Sequence, residues 1–245
     1  MTLRSPKIPG AVVIRTLWQV RNVLFTLRFN YQWPHRPQKQ KMSQEQKSAL
    51  WLDYQYYVKH ISTPEWAASW GLVSLFLDLL ATDKFANCLD LGSGFTSYAI
   101  RYWSKCVGAQ CHIASVDDSL SWVGQTRSFL EQKGLGPGEL YTEAEFLQTR
   151  SNLRADLVLY DYSGFKHRSE FLHHLGHFLH PNTIVIFDDC HSRDYTRDYV
   201  ATLNTWCVRN GMQVVSLRRW TLDEFGRYAV LGYFHSSGSL WQFLR

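Results

Sequence analysis

Short apolar runs alternate with longer amphipathic stretches through the middle of the chain, which indicates strands alternating with helices. The strand-like runs are 88–91, 112–116, 139–142, 157–160 and 183–187. The stretches with a helical period are 97–105, 120–133, 170–180 and 195–210. This alternation predicts a parallel sheet with helices on both of its faces.

The last part of the chain breaks the alternation. Gln213 to Trp220 and Tyr228 to Phe234 are both strand-like, and the loop between them is too short for a crossover helix. We expect them to pair as an antiparallel hairpin at the sheet edge. The predicted fold class is therefore α/β: a Rossmann-like, doubly wound sheet, mostly parallel with a C-terminal antiparallel hairpin, plus an N-terminal helical extension.

An amphipathic helix is predicted over residues 11–28. Its apolar stripe consists of Val13, Leu17, Val20, Leu24 and Leu27, and its other side of Arg15, Gln19, Asn22 and Thr26. Arginines interrupt it too often for a membrane span. We expect the apolar stripe to pack on its own domain or, in a homo-oligomer, on a second subunit. Peripheral contact with an anionic membrane is the alternative.

Two further helices are predicted before the first strand. One covers 43–59, and the other covers Trp66 to Leu80, with Thr63 as its N-cap and Pro64 at its first position. The Pro-containing stretch 31–41 is predicted to be a linker or a loop facing the substrate. We divide the chain into a basic helical arm or lid over 1–60 and a main domain over 61–245.

Positive charge is concentrated at the N-terminus. Residues 1–42 contain eight of the chain's 26 Lys and Arg and none of its 21 Asp and Glu. A uniformly basic nucleic-acid-binding domain is therefore not supported. The five cysteines form no C-x-x-C pair, so neither a disulfide framework nor a zinc cluster is indicated, and a reducing, cytoplasmic location is expected.

A glycine-containing turn follows the first strand. Asp90 lies within that strand, Gly92 and Gly94 follow it, and a helix-compatible segment begins at Ser97. Glycines let a ligand approach the main chain without meeting a Cβ atom. Ser97 stands where the dinucleotide fingerprint requires its third glycine, so the motif disfavours NAD.

Acidic residues follow most of the predicted strands. They are Asp117, Asp118, Asp161, Asp188 and Asp189. Ligands of open α/β sheets bind outside the carboxyl ends of the strands, so we expect these acids to converge there. The sequence separation of Asp117 from the glycine turn is close to that at which an acid binds the ribose hydroxyls of a nucleoside. Asp118 or Ser119 suits the alternative role of capping the next helix.

LDLGSG at 89–94, followed by SVDD at 115–118, resembles the cofactor-binding motifs of class I S-adenosylmethionine-dependent methyltransferases. ISTPEWAASWGLVSLFLDLL, LVLYDYSG and IVIFDDCH resemble the metal-dependent O-methyltransferases of the catechol, caffeoyl-coenzyme A and macrolide-sugar types. The resemblance covers roughly 60–235. It implies cofactor contacts from Asp90, Gly92, Ser93, Gly94, Phe95, Thr96, Asp117, Asp118 and either Glu143 or Glu145.

The same resemblance implies a metal site. Asp161, Asp188 and Asp189 take the positions of the three metal ligands, and their hard oxygen donors suit Mg²⁺ or Ca²⁺. The alternative is that Asp188 and Asp189 cap the next helix or bind the substrate directly. Three residues after the first ligand, the catechol type has a lysine and the sugar type a histidine, whereas this chain has Gly164. Lys166, His167 or His191 would then have to act as the base.

A histidine-rich segment offers a second candidate metal site. His173, His177 and His180 share one face at helical spacing. Because apolar residues form the opposite face, a solvated histidine surface is the favoured interpretation.

The predicted function is methyl transfer from S-adenosylmethionine to a hydroxyl oxygen of a small molecule, assisted by a divalent cation, with residues 31–70 as a lid. Two alternatives stay open. One is a metal-independent methyltransferase that acts on a nitrogen or on RNA. The other is a non-catalytic adaptor that keeps the nucleoside pocket and works through its N-terminal helix.

Overall fold

The computed structural model describes residues 9–82, 85–191 and 194–234, with side chains from residue 16 onward. Within these ranges, seven strands form one sheet in the order β3-β2-β1-β4-β5-β7-β6. The strands are β1 Asn87–Leu91, β2 His112–Asp117, β3 Glu139–Thr142, β4 Leu157–Tyr160, β5 Ile184–Phe187, β6 Met212–Ser216 and β7 Val230–Phe234. The pairs among β1 to β5 are parallel, and β7 is antiparallel to both β5 and β6. The predicted fold class is confirmed, including the terminal antiparallel pair.

Helices cover both faces of the sheet. They are α1 Pro9–Gln32, α2 Gln44–His60, α3 Trp70–Thr82, α4 Phe95–Val107, α5 Leu120–Gln132, α6 Glu143–Thr149, α7 Phe165–Phe178, α8 Arg197–Arg209 and α9 Arg218–Thr221. Two clusters of buried apolar side chains, one on each face, form the core. Leu50 and Tyr57 of α2 belong to the first cluster, so the predicted lid shares its core with the sheet.

The helix predicted to begin after Thr63 begins later, at Trp70. Residues 63–67 form a single turn, in which the amides of Trp66 and Ala67 donate to the Thr63 carbonyl. The carbonyls that would continue a helix are taken by the guanidinium of Arg227, which donates to those of Pro64, Glu65 and Ala67. Arg227 lies at least 160 residues after this turn in the sequence, so no local pattern could have predicted the contact.

Further differences from the prediction concern β6, α7 and α6. The strand expected over 213–220 ends at Ser216, and α9 follows it. Helix α7 begins at Phe165, well before Glu170. The short helix α6 was not predicted. Its N-terminus is stabilised by a capping box in which the side chains of Thr142 and Glu145 each bind the other's backbone amide.

Helix α1 packs on the sheet with a face that mixes aromatic and polar residues, and the predicted apolar stripe does not pack on its own domain. Phe29 is fully buried in the core, and Phe25 packs beside it. Asn22 and Thr26 accept hydrogen bonds from the amides of Val214 and Ser216 in the edge strand β6. Leu17, Leu24 and Leu27 of the predicted apolar stripe are instead exposed to solvent. The side chains of Val13 and Arg15 lie outside the described part. Two contacts favour this orientation. Phe25 and Phe29 bury apolar surface in the core, and Asn22 and Thr26 supply hydrogen-bonding partners to the open edge of β6.

Among the described helices, none combines the length and the apolar character needed to cross a bilayer.

Candidate active site

A cavity of about 760 Å³ lies beyond the carboxyl ends of β1, β2, β4 and β5. It joins the glycine turn after β1 to the aspartates that follow the other strands, as the sequence predicts. Its lining residues are Tyr57, Glu65, Trp66, Ala67, Ala68, Gly92, Ser93, Gly94, Phe95, Thr96, Asp117, Asp118, Ser119, Trp122, Asp161, Ser163, Gly164, Phe165, Arg168, Asp188, Asp189, His191, Tyr195 and Arg227. The volume is in the range of about 300–1,000 Å³ that is typical of ligand sites.

Asp90 stabilises the conformation of the glycine turn. The Asp90 carboxylate is fully buried and accepts hydrogen bonds from the hydroxyls of Thr96, Ser97 and Ser115. Burial raises its pKa, and these hydrogen bonds oppose the rise. Asp90 is fully buried and does not line the cavity. In this structure it therefore positions the turn and does not contact a cofactor directly.

Gly92 brings the turn into close contact with Asp161, which directly follows the neighbouring strand β4. Its φ is +100°, and a Cβ atom added there would lie 1.7 Å from the Asp161 carbonyl oxygen. Only glycine satisfies both conditions. Helix α4 begins just beyond, at Phe95, so its N-terminal amides lie at this end of the cavity, an arrangement that favours an anionic group.

Asp117 faces the same turn from the end of β2. Its Oδ2 accepts from the backbone amide of Ser93 at 2.9 Å, and its Oδ1 accepts from the amide of Ser119 at 3.0 Å. Burial raises the pKa of Asp117 to about 6, against the effect of these hydrogen bonds. Asp118 lines the cavity beside it and accepts a hydrogen bond from Ser163 Oγ at 2.6 Å.

The three aspartates predicted as metal ligands lie together. One carboxylate oxygen from each of Asp161, Asp188 and Asp189 lies within 4.8 Å of the other two. Asp189 has a φ of +56°, in the left-handed region that residues other than glycine seldom adopt. Such backbone strain is typical of functional sites.

A buried arginine contacts the same carboxylates. Arg168 Nη2 donates to Asp161 Oδ1 at 3.0 Å, and Nη1 donates to Asp189 Oδ2 at 3.3 Å. Burial alone lowers the pKa of Arg168, and Asp161 and Asp189 outweigh that effect, so the pKa is raised. The guanidinium therefore remains charged and neutralises part of the cluster.

The cluster keeps uncompensated negative charge in spite of Arg168. Burial, together with the neighbouring carboxylates, raises the pKa of Asp188, and burial raises that of Asp161 to about 6. Asp189 Oδ1 is buried and has no hydrogen-bond partner within the part of the chain that the structure describes. Hard, anionic oxygens with one unpaired atom fit a divalent cation such as Mg²⁺ or Ca²⁺.

One of the three predicted bases lines the cavity. His191 is buried there, and its Nε2 lies 2.9 Å from Tyr195 Oη. Lys166 is exposed on α7 outside the cavity. His167 lies on the same helix, with Nε2 at 2.6 Å from Glu143 Oε2. The direction in which α7 leaves the site therefore separates Lys166 and His167 from it.

The structure also places Glu143 away from the cavity. Its carboxylate is shared by Tyr162 Oη, at 2.5 Å, and His167. Glu145 is used by the capping box of α6. Neither glutamate lines the cavity, because Glu143 turns toward Tyr162 and His167, and Glu145 turns back onto Thr142.

The histidine-rich segment remains a surface feature. His173 and His177 are exposed on α7, while His180 lies beyond the helix end, 3.0 Å from Asp156 Oδ1. Among the described residues, the only group of side chains arranged to hold a metal ion is the aspartate cluster. The favoured interpretation, a solvated histidine face, agrees with this placement.

Sequence reasoning missed several residues of the site. They are Tyr57, Trp66, Trp122, Arg168, Tyr195 and Arg227. For Arg168 a signal existed, because it continues the buried stripe of α7 that contains Phe171, Leu172 and Leu175. A basic residue on an apolar stripe requires a buried partner. The place of Arg227 in the site could not be predicted from the sequence, since it depends on hydrogen bonds to Asp223 and to the distant turn at 63–67.

No protein-family model and no curated protein matches the chain. Solved structures do match. An O-methyltransferase of Bacillus cereus in complex with S-adenosylhomocysteine has a TM-score of 0.58 at 13% identity, over 78% of this chain and 90% of that one. TomG of Streptomyces achromogenes, an O-methyltransferase of tomaymycin synthesis in complex with S-adenosylmethionine, has a TM-score of 0.57 at 15% identity, over 90% and 98%.

A third similar structure extends over nearly the whole chain. The methyltransferase PaMTH1 of Podospora anserina, bound to S-adenosylhomocysteine, has a TM-score of 0.56 at 13% identity, over 96% of this chain and 100% of that one. Similarity at such low identity concerns the fold and not the activity. This chain has the fold of the class I S-adenosylmethionine-dependent methyltransferases, as its sequence motifs predict.

Proposed function

We propose that this protein transfers a methyl group from S-adenosylmethionine to a hydroxyl oxygen of a small molecule, with a divalent cation at the aspartate cluster. The observation that carries the proposal is the single cavity that joins the glycine turn and Asp117 to Asp161, Asp188 and Asp189. A donor site and a site for the acceptor hydroxyl are both needed for direct transfer, and the residues that we assign to the two sites line this one cavity.

The cofactor end of the cavity is assigned to the first two strands. The turn at 92–94 and the N-terminus of α4 would receive the amino acid portion of the cofactor, and Asp117 would accept hydrogen bonds from its ribose hydroxyls. Trp122 lines the same end and donates to the Ser93 carbonyl, so its indole ring is fixed beside the turn. We assign it a packing contact with the nucleoside.

The acceptor end is assigned to β4, β5 and the turn at 63–68. Asp161, Asp188 and Asp189 would hold the cation, which when bound lowers the pKa of a hydroxyl and orients its oxygen. His191 lines this end and would receive the hydroxyl proton as the methyl group leaves the sulfonium. Trp66, 84% exposed at the rim, would cover the acceptor.

Calorimetric titration of S-adenosylmethionine into chelator-treated protein, with and without Mg²⁺, tests the proposal. We expect a Mg²⁺-binding signal in the wild type that is lost in Asp188→Asn/Asp189→Asn, while cofactor binding persists in both. The matched control is Asp194→Asn/Asp198→Asn, which makes the same charge change at exposed positions nearby. Mg²⁺ is added after the cofactor as well as before it, because the cofactor could complete the site.

Turnover is then tested by following S-adenosylhomocysteine release with a panel of catechols, vicinal diols and sugars. His191→Asn is expected to abolish release, and His167→Asn, outside the cavity, to preserve it. Absence of cofactor binding would refute the methyltransferase proposal as a whole. Equal turnover by the His191 and His167 variants would refute only the assignment of the base.

One observation favours a second candidate function, metal-independent methyl transfer. The guanidinium of Arg168 already contacts Asp161 and Asp189, two of the three carboxylates that a cation would use. In that case the acceptor would be a group that needs less activation than a hydroxyl, such as a nitrogen. Full turnover in the presence of chelator, with no Mg²⁺ signal in any order of addition, would establish this alternative.

A further inference from the structure

Helix α1 presents an apolar face to solvent. Six side chains along it are 52–77% exposed: Leu17, Val20, Val23, Leu24, Leu27 and Tyr31. On a helical projection they occupy one continuous stripe, about 21 Å long at the rise of an α-helix. A contiguous apolar surface of this kind marks an interaction site more often than isolated exposed residues do.

The opposite face of α1 is fixed to the sheet, so the helix cannot turn its apolar stripe inward. Four side chains spaced four residues apart bind the β6 edge and the segment after it. Trp18 donates to the Met212 carbonyl, Asn22 and Thr26 accept from the amides of Val214 and Ser216, and Asn30 accepts from Trp220 Nε1. Rotation of α1 would break all four hydrogen bonds and expose the strand edge.

The charge around this face indicates what covers it. Residues 1–42 contain eight Lys or Arg and no acidic residue. Arg21 and Arg28 lie on α1 along one border of the apolar stripe, by its helical period. A second copy of the chain would bring two such basic arms together, which like-charge repulsion opposes. An anionic surface is complementary to both the charge and the apolar stripe.

We propose that α1 docks the protein on an anionic lipid bilayer, lying in the plane of the interface with its apolar stripe among the lipids. An apolar face flanked by arginine is the pattern of interfacial helices, and α1 lacks the length of apolar sequence needed to span a bilayer. Basic residues near the surface add electrostatic attraction. This site is independent of the proposed function, since none of these side chains lines the cavity.

Flotation of the full-length protein with phosphatidylcholine vesicles, with or without phosphatidylserine, tests the proposal. We expect binding that requires phosphatidylserine and weakens with added salt. The variant Leu17→Ser/Leu24→Ser/Leu27→Ser should reduce the partition coefficient by about tenfold or more, since three apolar contacts with lipid are lost. The matched control is Leu52→Ser/Leu120→Ser/Leu222→Ser, which alters three exposed leucines elsewhere and should bind like the wild type.

Other results would contradict docking of α1 on a bilayer. Absence of vesicle binding by the wild type, or equal loss in both triple variants, would overturn the proposal. A wild-type dimer in sedimentation velocity that the α1 variant converts to monomer, without vesicle binding, would assign the face to a second copy of the chain instead. Circular dichroism of both variants verifies that each remains folded, as their exposed positions lead us to expect.

Discussion

Arg168 Nη2 donates to Asp161 Oδ1 at 3.0 Å, and the side chains of the two residues are only 5% and 19% exposed. A buried ion pair of this kind gives little net stability, but loss of one partner leaves an uncompensated charge in a low-dielectric environment. The remaining charge belongs to the three aspartates of the candidate metal site. Stability and cation binding are therefore expected to be coupled at this site.

Arg168→Met is expected to lower the free energy of unfolding by about 3–5 kcal/mol, because Asp161 and Asp189 lose their counter-charge. Denaturant unfolding with and without Mg²⁺ measures the effect. If the cluster holds a cation, Mg²⁺ should stabilise the variant more than the wild type. Arg197→Met, which removes an exposed pair with Asp194, is the control and should change stability by less than about 0.5 kcal/mol. An Arg168 variant as stable as that control would contradict the prediction.

Gly92→Ala is expected to destabilise the protein by about 3 kcal/mol or more, because its Cβ would overlap the Asp161 carbonyl and its φ is positive. Thermal unfolding and cofactor titration measure the two consequences. Gly124→Ala is the matched control, since a Cβ at that position in α5 meets no atom within 4 Å. It should be neutral or stabilise by up to about 1 kcal/mol through helix propensity. Similar losses in both variants would show that the close approach at Gly92 is unimportant.

Binding of S-adenosylhomocysteine is expected to strengthen as the pH rises through about 6. Ribose hydroxyls donate to an ionised carboxylate, and burial raises the pKa of Asp117 to about 6, so protonation below that pH removes the acceptor. For one required deprotonation, affinity at pH 5 should be about tenfold weaker than the plateau above pH 7. Isothermal titration across this range gives the profile.

Variants are needed to identify which aspartate causes this pH dependence, because burial also raises the pKa of Asp161 to about 6. Asp117→Asn should bind more weakly and lose the dependence near pH 6. Asp161→Asn should keep it. The opposite pattern would assign the pH dependence to the aspartate cluster and remove Asp117 from its proposed role.

Asn22→Ala and Thr26→Ala are each expected to cost about 1 kcal/mol of unfolding free energy, because an amide of β6 loses its acceptor. Gln19→Ala, an exposed position of the same helix, is the control and should be close to neutral. Hydrogen exchange at Val214 and Ser216 provides a local measurement and should accelerate only in the first two variants. Unchanged protection would mean that α1 contributes nothing to the strand edge.

The sequence alone determined the sheet and the position of the cavity. Alternation of apolar runs with helical stretches has a short-range cause, the burial of one face of each element, and it predicted the strands and most of the helices. Gly92 and Gly94 were recognisable because a turn of that geometry excludes side chains. Asp117, Asp161, Asp188 and Asp189 follow strands, and parallel strands end at one edge of a sheet.

The tertiary structure decided which side chains face that cavity and which way α1 faces. His191 could not be separated from Lys166 and His167 without the direction of α7, and Arg227 is held in place by carbonyls more than a hundred residues away in sequence. Amphipathic periodicity revealed that α1 has two faces, but the tertiary structure determined that the face with Asn22, Thr26 and Phe29 turns inward, onto the open edge of β6 and the core beside it. Unpaired backbone groups at a strand edge require hydrogen bonds, and that requirement appears only once the sheet has formed.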